Sequence, residues 1–205
     1  MNKGMVTMGA AVLSLTLASA ASAGLSYIGA GGVIPDAGTG VFTSDIVVGD
    51  SGSLQDITVT LGGLNHTWSG DLVATIQHVE SGLTQTLFAR VGKTAATTGF
   101  GDSSNFNGDY SFNDSFAGNL WLAAEGGGTD FIIPGGNYFA SAELTGAQVS
   151  LLSIFGGQEI SGTWRLSIQD FAGGDTGSLG SWTLDLVVPA PAGLALLAMG
   201  GVVRR

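Results

Sequence analysis

Apolar and polar residues alternate one by one along several short segments of this chain. Because successive side chains of a β-strand point to opposite faces, this period of two predicts half-buried strands. Glycine, asparagine and aspartate cluster between the segments, where antiparallel strands need turns. In one segment we expect Leu87 and Ala89 to face one side, and Thr86, Phe88 and Arg90 the other. The segments are residues 57–61, 72–77, 86–90, 163–168 and 182–186.

No crossover helices are predicted between these strands, which favours an all-β fold with two antiparallel sheets packed as a sandwich. A chain of 205 residues with 44% hydrophobic content can bury one core of ordinary size, so its 35 glycines indicate turns rather than disorder. Residues 99–162 differ from the rest and predict loops and short strands anchored by scattered aromatic residues. Within them we expect a short helix around residues 145–154, with Ala147, Leu151 and Ile154 on one face.

The sequence patterns at both ends of the chain are typical of export signals. Residues 1–23 combine one lysine, an apolar stretch and small residues, which predicts a secretory signal peptide cleaved after Ala23, or alternatively after Ala20. An uncharged run at residues 192–203 would form about 18 Å of helix, shorter than the ~30 Å hydrocarbon core of a membrane. We therefore expect it to associate with a membrane only transiently. A packed helix is the alternative interpretation at either end.

Residues 188–205 resemble the PEP-CTERM sorting signal of bacterial surface proteins. A proline pair, Pro189 and Pro191, precedes a small apolar helix, and Arg204 and Arg205 close the chain. The resemblance implies processing by exosortase-type machinery, and hence a secreted, cell-surface or extracellular-matrix location. We accordingly divide the chain into a signal peptide at 1–23, a sandwich domain at 24–188 and a sorting segment at 189–205.

Charge and cysteine content exclude several classes of function. The predicted domain holds 3 basic and all 16 acidic residues, a formal charge of −13, which would repel the phosphates of a nucleic acid. The chain has no cysteine, so disulfides, thiolate metal sites and thiol nucleophiles are excluded. A soluble acidic surface or a calcium site accounts for the carboxylates, since calcium prefers oxygen ligands.

Two motifs resemble the P domain, or Homo B domain, of proprotein convertases and of many exported bacterial proteins. The first is HTWSGDL at residues 66–72, and the second is SGTWRLSIQDFAGGDTGSLGSWTLDL at residues 161–186. The resemblance implies a jelly-roll sandwich of the galactose-binding-domain-like type. In convertases this domain accompanies and stabilises a subtilisin-like catalytic domain. The motif positions are His66, Trp68, Gly70, Asp71, Trp164, Asp170, Asp175, Gly177 and Trp182.

The chemistry of these residues favours structural roles. Gly70 predicts a tight turn with positive φ, and the Asp71 carboxylate can accept N–H bonds from that turn. We expect Trp164 and Trp182 to pack in the core, where they could meet across the sheets; a sugar-stacking platform is the alternative. His66 is expected to be a hydrogen-bonded turn residue rather than a general base.

No catalytic residues are predicted, because the chain has no GxSxG, HExxH or phosphate-binding loop motif. Calcium is the candidate cofactor. Asn105, Asn107 and Asp109 alternate like the start of a calcium loop, and Asp114 and Asp71 are candidate ligands from other loops.

Three functions remain open. The leading hypothesis is a non-catalytic surface or matrix protein that contacts an extracellular protein or polysaccharide. The alternatives are a carbohydrate-binding module and an accessory partner of a subtilisin-like serine endopeptidase.

Overall fold

Nine strands and two short helices make up the regular structure of the part of the chain, residues 22–37 and 40–190, that a computed structural model describes. Residues Ser22–Pro189 form one compact unit. The strands are β1 (Ser22–Ile34), β2 (Phe42–Val48), β3 (Asp56–His66), β4 (Leu72–His78), β5 (Leu83–Ala89), β6 (Phe106–Phe112), β7 (Gly136–Tyr138), β8 (Gly162–Asp170) and β9 (Gly177–Pro189). The helices are α1 (Leu120–Ala124) and α2 (Leu152–Phe155).

The predicted signal and sorting segments lie almost entirely outside the described residues. The expected cleavage position after Ala23 falls inside β1, two residues from its beginning. Within the described ranges, no helix is both long enough and apolar enough to cross a membrane.

The strands form two sheets that pack face to face. One sheet has the order β1-β9-β3-β6-β7 and the other has the order β2-β8-β4-β5. Every pairing is antiparallel except that of β6 with β7. Apart from β7 and the β4–β5 hairpin, successive strands alternate between the sheets, which is a jelly-roll arrangement. The predicted all-β sandwich is confirmed.

Alternating side chains from both sheets build the core. Leu72, Ala74 and Ile76 of β4 are fully buried, whereas the residues between them are half-buried on the outer face. Trp164 and Trp182 are also buried core residues. The sequence suggested that the two residues could meet across the sheets, but each ring has other partners. Trp164 contacts His78 and Phe155, whereas the Nε1 of Trp182 donates to Ser44 Oγ across the sandwich.

The predicted outward position of Phe88 is wrong. Leu87, Phe88 and Ala89 are all buried, and the Phe88 ring contacts Phe106 and Phe112. The cause is an irregularity in the pairing of β4 with β5, where the register shifts between Ala74 and Thr75. A bulge of this kind interrupts the alternation of faces, so two successive residues can both point inward.

The predicted helix at residues 145–154 is also wrong over most of its length. Only Leu152–Phe155 is helical. Gly146 has a φ of +62°, and Ser141 and Gln148 form an isolated antiparallel bridge. A left-handed residue and an extended bridge are both incompatible with a continuing α-helix.

Candidate functional site

The two sequence motifs, about 100 residues apart along the chain, meet at one end of the sandwich. His66 ends β3 and lies opposite Gly177, the first residue of β9. Leu72 begins β4 and lies opposite Asp170, the last residue of β8. Strand pairing therefore brings the first motif together with Asp170 and Gly177 of the second in one site, which we call the motif end. Trp164 and Trp182 lie elsewhere, opposite His78 and Leu61 in the core.

A buried His66–Asp170 pair forms the inner part of the motif end. His66 Nε2 lies 3.2 Å from Asp170 Oδ2, and each residue is only 1% exposed. On the other side of the ring, His66 Nδ1 lies 3.1 Å from the backbone nitrogen of Trp68 and 3.0 Å from the carbonyl oxygen of the same residue. Asp170 Oδ1 accepts the backbone N–H of Ala172 at 3.1 Å. The pair ties β3, β8 and the loop after β8 together.

Gly177 is required by this pair. A Cβ at this position would overlap Cδ2 of the His66 ring and lie 2.6 Å from the carbonyl oxygen of Asn65. The histidine is held in place by its partners on both ring nitrogens. A side chain at residue 177 would therefore displace it.

Asp71 lies beside the pair in a largely buried position, 3% exposed. Its Oδ1 accepts a long hydrogen bond of 3.5 Å from Nη2 of Arg90, whose Nε donates to the carbonyl oxygen of Gly70 at 3.0 Å. Burial raises the pKa of Asp71 to about 6, and the negative charges of Asp170 and Asp175 act in the same direction. Arg90 and His66 oppose this rise only in part.

Two local predictions about the first motif are wrong. Gly70 does not have a positive φ; a glycine is needed because a Cβ would overlap the Phe100 carbonyl oxygen and lie 2.7 Å from the Asp102 nitrogen. The Asp71 carboxylate accepts no turn N–H, and its hydrogen bond comes from Arg90. Packing of the loop around Phe100 against residues 69–71, a 3-10 turn, accounts for both differences.

An open cleft of about 270 Å³ lies at the surface of the motif end. Trp68 Nε1 donates to the carbonyl oxygen of Phe100 at 3.2 Å, which joins the two aromatic residues of the cleft. Thr67 Oγ1 donates to Asp175 Oδ1 at 2.8 Å. The lining residues are Trp68, Asp71, Phe100, Ala172, Gly173 and Asp175.

Phe100 is the residue of this cleft that the motifs did not identify. It is 73% exposed and lies between Gly99 and Gly101, which both have positive φ. An aromatic residue between two glycines in a polar loop is the sequence signal that could have found it.

The five candidate calcium ligands are not brought together. Asn107 and Asp109 belong to β6, where residues two apart are separated by about 6.6 Å, whereas a calcium loop curls around its ion. Asp109 Oδ1 accepts the Gly63 N–H at 2.7 Å. Asp71 lies in the cleft at the motif end. Among the described residues, no three His, Asp or Glu side chains form a group that could hold a metal ion.

Asp114 and Asn105 have other surroundings. Asp114 accepts the backbone N–H groups of Leu151 and Leu152 at 2.7 and 3.0 Å and so caps the turn before α2. Asn105 pairs with Ile132 in an isolated parallel bridge, and its Oδ1 is buried without a hydrogen-bond partner in the described structure.

One segment of the chain matches a known protein family by sequence. Residues 141–186 match the proprotein convertase P-domain family. This segment contains β8 and most of β9, and it supplies Asp170, Ala172, Gly173 and Asp175 to the motif end. A search of curated proteins finds no match.

Two solved structures are similar to this chain at low sequence identity. The serine protease of Aeromonas sobria in complex with its chaperone is 16% identical, covers 82% of this chain and has a TM-score of 0.47. The structure of the serine protease of Aeromonas sobria is also 16% identical, covers 84% of this chain and has a TM-score of 0.45. In both cases the chain spans about 28% of the length of the other protein.

Replacing Asp71 with asparagine is expected to stabilise the domain at pH 7. The ordinary pKa of this carboxyl is 3.8 and its folded value is about 6, so the folded chain binds the proton more tightly. The stability due to the protonated carboxyl is fully present below about pH 4 and is lost as the pH rises through 6. At pH 7 the ionised group costs about 1–2 kcal/mol after allowance for solvent screening. Asparagine removes that cost, which corresponds to a rise of about 2–8 °C in melting temperature.

Scanning calorimetry at pH 4 and pH 7 measures this effect. The melting temperatures of the unchanged protein and of Asp71→Asn should differ at pH 7 and be nearly equal at pH 4. Asp185→Asn, which removes a carboxylate from the half-exposed face of β9, is the matched control and should leave the melting temperature within 1 °C by the usual size of surface effects. A lower melting temperature for Asp71→Asn at pH 7 would contradict the assignment.

Proposed function

We propose that this chain is a non-catalytic accessory protein of the P-domain type that binds another protein outside the cytoplasm. The observation that carries the proposal is the match of residues 141–186 to the P-domain family, because the same segment builds half of the motif end. Loops at the end of a rigid sandwich are common binding sites, since the sheets fix their position.

The state of His66 supports a non-catalytic role. Its Nε2 is held by Asp170 and its Nδ1 by Trp68, and the ring is buried. A general base needs a ring nitrogen within reach of the substrate proton. Both ring nitrogens of His66 already contact other groups, so the His66–Asp170 pair has a structural role and holds the loops of the site together.

A subtilisin-like serine endopeptidase is the first candidate for the partner, because P domains accompany such catalytic domains in convertases. Export through residues 1–23 and sorting through residues 189–205 would place this chain at the cell surface or in the extracellular matrix, where secreted proteases act.

Carbohydrate binding is the second candidate function, and a separate cleft of about 370 Å³ favours it. Trp121 lies beside Asn119, Asp102 and Glu125 there, and an aromatic ring beside polar side chains suits a sugar. In the described structure Trp121 Nε1 is buried without a hydrogen-bond partner.

The purified exported protein is expected to cleave no peptide substrate, but to stabilise its partner protease. The thermal inactivation of a subtilisin-like protease secreted by the same bacterium is measured with and without the protein. At a concentration 100-fold above the dissociation constant, binding stabilises the partner by about 2.7 kcal/mol. An unrelated acidic β-sandwich protein at equal concentration is the control and should have no effect.

Two results would overturn the proposal. One is peptide hydrolysis by the purified protein that His66→Gln abolishes. The other is retention on a glycan array that Trp121→Ala abolishes, combined with no effect on the protease; that result would support the carbohydrate-binding function instead.

A further inference from the structure

The cleft at the motif end combines aromatic side chains with carboxylates. Trp68 and Phe100 contribute two aromatic rings, and Asp71 and Asp175 contribute two carboxyl groups. An aromatic face attracts a cation through its quadrupole, and a carboxylate binds the same cation through charge-assisted hydrogen bonds. The residues of the cleft are therefore complementary to a positively charged group.

Asp71 has one carboxylate oxygen free to bind a ligand. Its side chain is only 4% exposed, and Oδ1 is 3.5 Å from Arg90 Nη2. Its Oδ2 accepts no hydrogen bond from any described residue, although Asp71 lines the cleft. This oxygen does not belong to the buried, unpartnered atoms of the described structure, so a donor that enters the cleft can reach it and form a charge-assisted hydrogen bond.

The charges around the cleft also favour a cationic ligand. The negative charges of Asp170 and Asp175 raise the pKa of Asp71, and the positive charge of Arg90 offsets this effect only in part. The guanidinium of Arg90 lies 5.6 Å from the centre of the Phe171 ring and beside Asp71. The chain thus already holds one guanidinium close to both an aromatic ring and Asp71, a carboxylate of the cleft.

We propose that the cleft formed by Trp68, Phe100, Asp71 and Asp175 binds an arginine side chain of the partner protein. This inference rests on the proposed function, for which it names the chemistry of the contact. Arginine fits better than lysine, because its planar guanidinium can stack on an aromatic ring and donate two parallel hydrogen bonds to a carboxylate. The strongly acidic domain would also attract a basic partner surface over a longer range.

Other ligands fit the cleft less well. Its volume of about 270 Å³ lies below the range of about 300–1,000 Å³ that is usual for small-molecule pockets, and the cleft is open. This size suits one side chain better than an oligosaccharide. Calcium requires six to eight oxygen ligands, whereas half of this cleft is aromatic or aliphatic.

The experiment titrates the complete exported protein with acetyl-Gly-Arg-Gly-amide and follows it by NMR. Matched peptides carry lysine, or citrulline, which has the shape of arginine without its charge. We expect the arginine peptide to bind more tightly than the lysine peptide, and the citrulline peptide at least 10-fold more weakly. Shifted resonances should include the indole N–H of Trp68.

Two substitutions and two matched controls locate the site. Asp71→Asn is expected to weaken arginine binding at least 10-fold, and Phe100→Ala about 3- to 10-fold. Asp130→Asn and Phe131→Ala change an exposed carboxylate and an exposed aromatic residue elsewhere and should leave binding unchanged. Phe100 is so exposed that its removal should not disturb folding, so it tests the proposal independently of Asp71→Asn, which also changes the stability of the domain.

Equal binding of the citrulline peptide, or arginine binding that survives both substitutions, would overturn this inference. So would calcium or a glycan shifting the same resonances in place of arginine. The proposed function fails separately: a protein that binds the arginine peptide but stabilises no protease refutes only the proposed function. A protein that stabilises the protease equally well with Asp71→Asn and Phe100→Ala refutes only the arginine site.

Discussion

Replacing Gly29 with alanine is expected to lower the free energy of unfolding by about 3 kcal/mol or more, at the upper end of overpacking effects. Gly29 lies in β1 directly opposite Trp182 of β9. A Cβ on residue 29 would lie 2.5 and 2.6 Å from Cε2 and Cδ1 of the indole ring and would overlap its Nε1. Trp182 cannot move away without losing both its core packing and the 2.9 Å hydrogen bond to Ser44.

Gly24→Ala is the matched control on the same strand. An added Cβ at Gly24 meets no atom within 4 Å, so this substitution should change the stability little. Urea unfolding followed by tryptophan fluorescence measures both variants. Equal unfolding midpoints for the two variants would show that β1 is not packed against Trp182 as described.

Trp164→Ala is expected to destabilise the domain by about 3–5 kcal/mol, the usual cost of removing a large buried aromatic side chain. The ring is buried between His78 and Phe155, at centroid distances of 5.0 and 5.1 Å. Its Nε1 donates to the carbonyl oxygen of Ile160 at 2.9 Å, so the substitution also leaves a buried acceptor without a partner. The expected result is loss of most of the stability of an ordinary domain.

Trp121→Ala is the control for this prediction. Trp121 is only partly buried and its Nε1 makes no hydrogen bond within the described structure, so its removal should cost less than half as much. The unfolding free energies come from guanidinium titrations of both variants. A larger loss of unfolding free energy for Trp121→Ala than for Trp164→Ala would show that Trp164 does not lie in the main core.

Local alternation of side chains was enough to predict the central strands. In β4 and β8 every second residue is buried, because these strands lie inside their sheet and follow a regular register. The same reasoning failed at Phe88, since the irregularity that turns it inward depends on how β5 pairs with β4. Such a register shift comes from contact between two strands, and one strand alone does not reveal it.

The members of the motif end were predictable, but their arrangement was not. The motifs named His66, Asp71, Asp170 and Asp175 without indicating which would touch. The hydrogen bond between His66 and Asp170 joins residues 104 positions apart, and it follows from the pairing of β3 with β9 and β4 with β8. Phe100 enters the cleft from a loop held by backbone hydrogen bonds, such as that from Gly70 N to Asp102 O at 2.9 Å. No periodicity in the sequence encodes that contact.

The calcium prediction failed for a similar reason, because it depended on strand pairing that the sequence does not reveal. Oxygen-bearing side chains at alternate positions look alike in an ion-binding loop and on one face of a strand. The outcome depended on Phe106–Phe112 pairing with β3, which keeps the segment extended and separates the side chains.

The pairing of β1 with β9 has a mechanical consequence. Ser22 is opposite Pro189, and the two strands run antiparallel from there to Ile34 and Gly177. The two ends of the domain therefore lie side by side, and tension applied through both would load the backbone hydrogen bonds of this pair one after another instead of all together. If the domain were attached to a surface by one end only, tension would not act across the β1–β9 pair, and β1, the edge strand of its sheet, would not carry it.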